Sequence, residues 1–220
     1  MLSKTQEKLI KSLHNKKGRT KANLCLVEGQ KVIDLAGDLV QLKFTDKDSD
    51  SFAGLVTTET PQEIAATALI PKWKVEDINS KEIIVLLDNV QDPGNVGSIL
   101  RLCLGFNASL VLVESVDVTS PKVIRSSVGS MFQVPWLNID RADVDIFIKD
   151  MNREVYRLEK KDKAVELDSN IKKPLLLIVG SEGQGIKLSI KGQSVYIDHN
   201  DKLESLNVGH AVAIALHGLK

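Results

Sequence analysis

Five polar side chains stand where a ligand could be held and a proton moved: Asn95, Arg101, Glu182, Ser205 and Asn207. Each follows an apolar run. Ile83-Ile-Val-Leu-Leu87 leads into Asp88-Asn-Val-Gln-Asp-Pro-Gly-Asn-Val-Gly97, and Leu175-Leu-Leu-Ile-Val179 breaks into Gly180-Ser-Glu-Gly-Gln-Gly185. Val195-Tyr-Ile197 precedes Ser205-Leu-Asn-Val208. Short apolar runs closed by glycine or proline are strand signals. Loops beyond the carboxyl ends of strands are where open α/β sheets bind ligands, and glycines let backbone approach closely. The pattern predicts a small-molecule pocket. It is not a phosphate cradle, because Gly180-x-x-Gly-x-Gly185 lacks the spacing and the lysine of a P-loop.

Each residue also has a plainer reading. Asn95 sits where a helix N-cap would, and Arg101 can be a surface arginine of the helix that follows. Ser205 and Asn207 open an Ala-rich helix, where either can cap, and Glu182 can be a solvated loop residue. His210 and His217 lie two turns apart on one face of that helix, which suits packing or a subunit contact. Asp198, His199 and Asp201 read as a polar turn, since no further ligand has metal-site spacing.

The elements that must position these groups alternate strand and helix: strands at 83–87, 110–113, 132–137, 155–158, 175–179 and 195–197, with helices at 96–104, 121–128, 142–150 and 207–218. Alternation predicts a mainly parallel sheet with helices on both faces. A smaller α/β unit precedes it. Residues 3–15 form an amphipathic helix, Lys16-Lys-Gly-Arg19 a loop, Leu24–Val27 a strand, and 31–35 a helix. Leu39–Phe44 form a strand, and Thr60-Pro61 opens a helix through Ile64-Ala-Ala-Thr-Ala-Leu69, with proline at the first helical position. The polar stretch 71–81 is the expected linker, giving domains 1–75 and 82–220.

With 220 residues and 43% hydrophobic content, the chain can fill a core of ordinary size plus a small one. Basic and acidic residues balance at 29 each, so net charge does not point to a nucleic-acid partner. The first 21 residues differ: Lys4, Lys8, Lys11, Lys16, Lys17, Arg19 and Lys21 face only Glu7, a basic arm able to touch phosphates. Cys25 and Cys103 sit in apolar settings, which suits packing in a reducing compartment. Met1-Leu-Ser-Lys-Thr-Gln lacks an apolar leader core, and no run approaches a membrane span, so the expectation is a cytoplasmic, soluble protein with no membrane partner.

The ordered set Asp92-Pro-Gly-Asn-Val-Gly-Ser-Ile-Leu-Arg101, Arg125-Ser-Ser-Val-Gly-Ser130, Val134-Pro135, Gly180–Gly185 and Ser205-Leu-Asn-Val208 resembles the SpoU/TrmH-type RNA ribose 2'-O-methyltransferases of the SPOUT superfamily. Leu26-Val-Glu-Gly-Gln-Lys31 and Ile64-Ala-Ala66 are similar to the N-terminal substrate-binding domain of such enzymes. The resemblance implies an α/β fold with a C-terminal trefoil knot, a homodimer with its site near the interface, S-adenosyl-L-methionine as cofactor, no metal, and tRNA or rRNA as substrate. It implies catalytic roles for Arg101, Asn95, Glu182, Ser205 and Asn207, and cofactor contacts at Gly180, Ile197 and Leu206 in a pocket shaped by Gly183 and Gly185. Arg101 would fix a phosphate and stabilise developing alkoxide rather than act as a base, because guanidinium stays protonated. One departure stands out. The family's Pro-Met-x-Gly after the isoleucine is replaced here by Asp198-His-Asn-Asp201, which leaves a non-catalytic RNA-binding protein of the same fold, with weakened cofactor binding, as the alternative.

Overall fold

A computed structural model describes residues 1–168, 170–200 and 202–219. The chain divides into two compact units: Met1–Lys72 with Asp117–Gln133, and Trp73–Val116 with Val134–Lys220. The first cut falls close to the expected linker. The excursion at 117–133 has no counterpart in the sequence reading, which ran the second domain unbroken from residue 82.

In the first unit, α1 (Lys4–Ser12) is opened by a capping box between Ser3 and Gln6. Lys16–Arg19, expected to be a loop, open helix α2 (Lys16–Ala22), because Asn15 caps it by accepting from the Gly18 amide at 2.9 Å. β1 (Leu24–Glu28), α3 (Gln30–Ala36), β2 (Val40–Thr45) and α4 (Phe52–Leu55) follow. Residues 64–69 are strand β3 (Ile64–Leu69), not the expected helix. β3 pairs antiparallel with both β1 and β2, so it is the centre of a three-stranded sheet. Alanine favours helix intrinsically, but buried Ala65, Ala66 and Ala68 are small enough to let neighbouring layers close on a central strand, and that context wins. Ile10, Leu13, Leu26, Phe44, Phe52 and Leu55 fill the core beside the sheet.

Two buried ion pairs tie 117–133 into this unit. Arg19, with a side chain 4% exposed, donates to Asp117 at 2.5 Å, to the Thr119 hydroxyl at 3.1 Å and to the Leu13 carbonyl at 2.9 Å. Arg19 therefore leaves the expected basic arm: it is an internal strut, whereas Lys4, Lys8, Lys11, Lys16, Lys17 and Lys21 stay exposed. Glu28 accepts from the Thr57 amide and hydroxyl, from Thr58 and from Arg125. Thus two of the resembling motifs, around Glu28 and Arg125, meet in space. Gly129 has φ +83°, and a Cβ there would stand 3.1–3.2 Å from Val32 and Leu35, so a side chain is excluded.

The second unit begins with α5 (Val75–Asn79), a helix inside the expected linker. β4 (Ile83–Asp88), α6 (Pro93–Gly105) and β5 (Ser109–Val113) follow; α7 (Pro121–Ser126) lies in the first unit. The second unit then resumes with β6 (Trp136–Asn138), α8 (Val144–Met151), β7 (Glu154–Leu158), β8 (Val165–Glu166), β9 (Leu175–Gly180), β10 (Gln193–Tyr196) and α9 (Val208–Gly218). β6 is shorter than the expected 132–137 because residues 130–132 turn as a 3₁₀ helix. All seven strands pair in parallel, in the order β6-β5-β4-β9-β7-β10-β8. Ile78 of α5 and Val144, Ile148 and Met151 of α8 cover Ile84, Leu86, Leu176 and Ile178 on one face. Residues alternating with these point the other way, where α6 packs on β5 and α9 on β9. Among the described residues, no helix is long and apolar enough to cross a membrane. Both cysteines are buried, which pushes their thiols up to about 12 and leaves them unreactive.

A fully buried carboxylate fixes the loop after β9. Asp88 Oδ2 accepts from the Lys187 and Leu188 amides at 2.6 and 2.8 Å, and Oδ1 accepts from Arg141 at 2.7 Å. Arg141 also pairs with Glu114, and that hydrogen bond holds the Glu114 carboxyl below its usual value.

Two predictions follow from these anchors. Arg19→Ala strands Asp117 without its partner, so unfolding in urea should show a loss of about 3–5 kcal/mol, and a loss under 1 would refute the strut. Burial opposes ionisation of Asp117, yet the bonds from Arg19 and Thr119 outweigh it and hold the carboxyl below its usual value. The stability it contributes is therefore complete above the unfolded carboxylate value of about 4 and is lost as pH falls through the lower folded value. Asp88→Ala leaves two amides unpaired, that of Leu188 buried and that of Lys187 partly so. Hydrogen exchange at Lys187 and Leu188 should quicken by roughly tenfold or more while the Ile84 amide in β4 changes less; equal protection in both proteins would show that the clamp does nothing.

Candidate active site

Register puts the two key loops side by side. β4 and β9 are adjacent and parallel, with Leu87 opposite Val179 and Asp88 opposite Gly180, so the loops that leave them emerge from one edge of the sheet. α6 is capped by Asp92, which accepts from the Asn95 amide at 2.8 Å. Asn95 is thus not the expected cap. Its carboxamide is free for other work because Asp92 has taken the capping role. Asn207 does cap α9, accepting from the His210 amide at 3.2 Å, and keeps its NH2 for the site.

Glu182 joins these pieces. Its Oε1 accepts from Asn95 Nδ2 at 3.1 Å, from Asn207 Nδ2 at 2.7 Å and from the Val208 amide at 3.2 Å. Asn207 Nδ2 also donates to Asn95 Oδ1 at 3.0 Å. Three segments far apart in the chain thereby meet on one carboxylate oxygen. Gly209 allows the close approach of α9, since a Cβ there would stand 3.3 Å from Asn207 Oδ1 and 3.7 Å from Asn95 Oδ1.

The glycine loop folds tightly on itself. The Gly185 amide donates to the Ser181 carbonyl at 2.8 Å, and a Cβ on Gly180 would stand 2.1 Å from the Gly185 carbonyl carbon. No other residue fits position 180 in this loop. Gly185 itself has φ +62°, the left-handed region that favours glycine.

Two cavities flank the carboxylate. The first, about 220 Å³, lies over the ends of β7, β9 and β10; Gly180, Glu182, Gly185, Ile197, Ser205 and Leu206 all line it. Val179, Ile186, Tyr196 and Ala211 add apolar wall. The second, about 290 Å³, is lined by Asn95 among other polar groups, and it shares Ser181, Glu182 and Val208 with the first. The structure therefore brings together eight of the ten residues singled out in the sequence. Gly183 lies outside: it is at the exposed tip of its loop, lines neither cavity, and a Cβ there would meet nothing within 4 Å.

Arg101 also lies outside the site of its own chain. It is exposed and lines neither cavity. Helix geometry explains this: six residues beyond Asn95 is about 9 Å of rise and about 240° of rotation, so the two side chains leave α6 in different directions. The Asp198–Asp201 segment is described except for Asp201. His199 stands on the wall of the first cavity, with Nδ1 2.7 Å from the Ile197 carbonyl. Among the described residues, no cluster of three His, Cys, Asp or Glu could hold a metal.

The residues fit a cationic, partly apolar ligand such as S-adenosylmethionine in the first cavity. The backbone of the Gly180–Gly185 loop forms one wall, and Glu182 and Glu204 line the cavity as acidic residues. Glu159 also lines this cavity, but its charge is taken up by Arg157 and Lys161. Sequence reasoning passed over Asp88 and Glu159, and reached His199 only as part of a polar turn; the one visible signal was an aspartate closing an otherwise all-apolar strand.

Residues 82–217 match the SpoU rRNA Methylase family. The chain is 29% identical over 238 residues to the 23S rRNA (guanosine(2553)-2'-O)-methyltransferase RlmP of Bacillus subtilis, covering 96% of this chain and 94% of that one. Its fold superposes at a TM-score of 0.82 on an RNA methyltransferase-type protein of the TrmH family from Porphyromonas gingivalis, with 27% identity, covering 100% and 98% of the two chains. At 24% identity, the SpoU methyltransferase AviRb from Streptomyces viridochromogenes, solved with AdoMet, shares the fold at a TM-score of 0.83, with 98% and 97% coverage. With the match covering well over half of the chain and every residue of the site, the chain belongs to the SpoU rRNA methylases.

Proposed function

We propose that this chain methylates a ribose 2'-hydroxyl of ribosomal RNA with S-adenosylmethionine. The observation that carries the reading is the Glu182 carboxylate, bound by Asn95, Asn207 and the Val208 amide and exposed to two cavities at once. The cofactor would supply an electrophilic methyl group from the first cavity, held by the backbone at Gly180, Ile197 and Leu206. A nucleoside in the second cavity would bring its 2'-hydroxyl to the methyl group where the two cavities adjoin, beside Ser181 and Glu182. Fixing the hydroxyl there converts a bimolecular encounter into an intramolecular one, worth on the order of 7–11 kcal/mol at best. Asn95 and Asn207 hold the Glu182 carboxylate in one orientation, and Ser205 lines the cofactor side.

Arg101 enters this reading through a homodimer. Ser98, Arg101 and Leu104 lie on the exposed side of α6, and His210, Ile214 and His217 on the exposed side of the adjoining α9. Leu104 and Ile214 are 39% and 46% exposed, an apolar surface that a second copy would cover. A guanidinium on that face would serve the site of the other copy, where it would grip RNA phosphate and stabilise the developing alkoxide. The lysines of α1 and α2 in the first unit supply further phosphate contacts, in keeping with a substrate-binding role for residues 1–75 and a cytoplasmic setting. The threading of the C-terminal segment into a trefoil knot belongs to the same reading; the Asp88 bonds to Lys187 and Leu188 would hold closed the loop it threads.

Purified protein with S-adenosylmethionine and unmethylated ribosomal RNA should leave one nucleotide resistant to alkaline hydrolysis. Absence of any such nucleotide, with S-adenosylhomocysteine also failing to bind by calorimetry at millimolar concentration, would favour the non-catalytic RNA-binding protein instead. Arg101→Ala and Glu182→Gln should each cut turnover by about 100-fold or more. Mixing the two variants should restore up to a quarter of wild-type activity by forming one intact site per mixed dimer. No recovery on mixing would refute the shared site.

A further inference from the structure

The second cavity has a wall that methyl transfer itself leaves unused. Asn89, Gln91 and Gln184 line the cavity together with Glu182. Their side chains form a continuous chain of hydrogen bonds. Gln91 Nε2 donates to the Glu114 carbonyl and, at 2.9 Å, to Asn89 Oδ1; Asn89 Nδ2 donates to Gln184 Oε1 at 3.0 Å.

The direction of this chain is fixed. A carboxamide can ordinarily be turned either way, exchanging its oxygen and nitrogen. A peptide carbonyl, however, only accepts, so the Glu114 carbonyl holds the NH2 of Gln91 toward it. That choice makes Asn89 present oxygen to Gln91 and NH2 to Gln184, which in turn leaves the NH2 of Gln184 outermost. Both hydrogens of Gln91 are committed. What remains is an acceptor at Gln91 Oε1, one hydrogen of Asn89 Nδ2 and both hydrogens of Gln184 Nε2. The backbone beneath is pinned as well: Asn89 takes the left-handed conformation at φ 58°, and its amide donates to the Val113 carbonyl at 3.0 Å. Ordering these side chains, two of them exposed glutamines, costs rotamer entropy on the order of 1 kcal/mol each.

We infer that this carboxamide chain reads the base of the acceptor nucleotide, with Gln184 as the principal donor and Gln91 as the acceptor. The inference rests on the methyl-transfer reading, since it places the nucleoside in the cavity next to the cofactor. An oriented set of amide donors and acceptors matches the hydrogen-bonding edge of a splayed-out base. The charge of the wall disfavours a phosphate at this spot: Asp92 and Glu182 line the cavity, and among the described residues no lysine or arginine does. Gln91, Asn89 and Gln184 are therefore specificity residues and take no part in the chemical step.

The test uses the full chain, S-adenosylmethionine and an RNA fragment carrying the position that wild-type protein methylates, made with each of the four bases there. Gln184→Glu replaces the outer donor by an acceptor and keeps the oxygen that Asn89 binds. It should lower kcat/KM for the preferred base by about 10- to 100-fold and change the ranking of the four, with S-adenosylhomocysteine affinity within twofold of wild type. Gln184→Ala, at an exposed position, should flatten the ranking without reversing it. A variant with the wild-type ranking, or one that loses activity equally on all four bases, would overturn base reading while leaving methyl transfer intact. A wild-type protein inactive on every RNA would instead remove the reading on which this inference stands.

Discussion

One oxygen of Glu182 holds the site together. Its partners come from the start of α6 and from the cap and first residue of α9, between 25 and 87 positions away in the chain. A carboxylate oxygen can accept several bonds, and charge-assisted ones are about twice as strong as neutral ones. No neutral residue of similar size would collect three N–H donors so well. The same group also lines both cavities, so the interaction that assembles the site stands where the two cavities adjoin. Glu182 stands on a loop, and loops hold position poorly unless something fixes them.

Two features supply that fixity. The loop closes on itself at Gly180 and Gly185, so tightly that a single added methyl at Gly180 would overlap backbone. Beyond it, Asp88 captures the Lys187 and Leu188 amides, so the chain on the far side of Glu182 is tied to the end of β4. β4 also launches the segment bearing Asn95. The donor and acceptor sides of the site are thus referenced to one strand, and small shifts of the sheet move them together. A fully buried charge is costly unless each of its lone pairs is used, and Asp88 spends both oxygens on this task.

Much of this was legible in the sequence, for identifiable reasons. The parallel sheet could be read because β4, β5 and β9 are buried on both faces, which makes them continuous apolar runs that no surface helix would tolerate. The loops could be read because their glycines and their Pro93-Gly94 turn follow those runs directly. The strand at Ile64–Leu69 could not, because alanine and threonine carry no period that distinguishes a buried strand from a buried helix. Lys16–Arg19 reads as a loop for the opposite reason: lysines and a glycine suggest one, while the helix rests on the local Asn15 cap and on a buried Arg19 whose partner Asp117 lies nearly a hundred positions away. The same holds for Asp88, whose partners lie 53 to 100 positions distant. Long-range polar pairing leaves no local pattern.

The position of Arg101 turns on helix geometry alone. A single straight helix cannot aim residues six apart at the same point, since the rotation between them is about 240°. Asn95 is committed to Glu182, so α6 must present Arg101 elsewhere. Either that arginine has no part in the reaction, or a second helix of the same kind brings it to the site from outside. In the second case the spacing Asn-x-x-x-x-x-Arg has a physical meaning: it divides one helix between two sites, binding its own carboxylate with one face and serving a neighbouring copy with the other. Such a division makes the monomer incomplete, and it makes dimerisation a requirement for turnover rather than for folding. The apolar residues Leu104 and Ile214 then have a purpose on an otherwise polar surface, because a guanidinium can be held over a neighbour's cavity only if packed side chains beside it fix the distance.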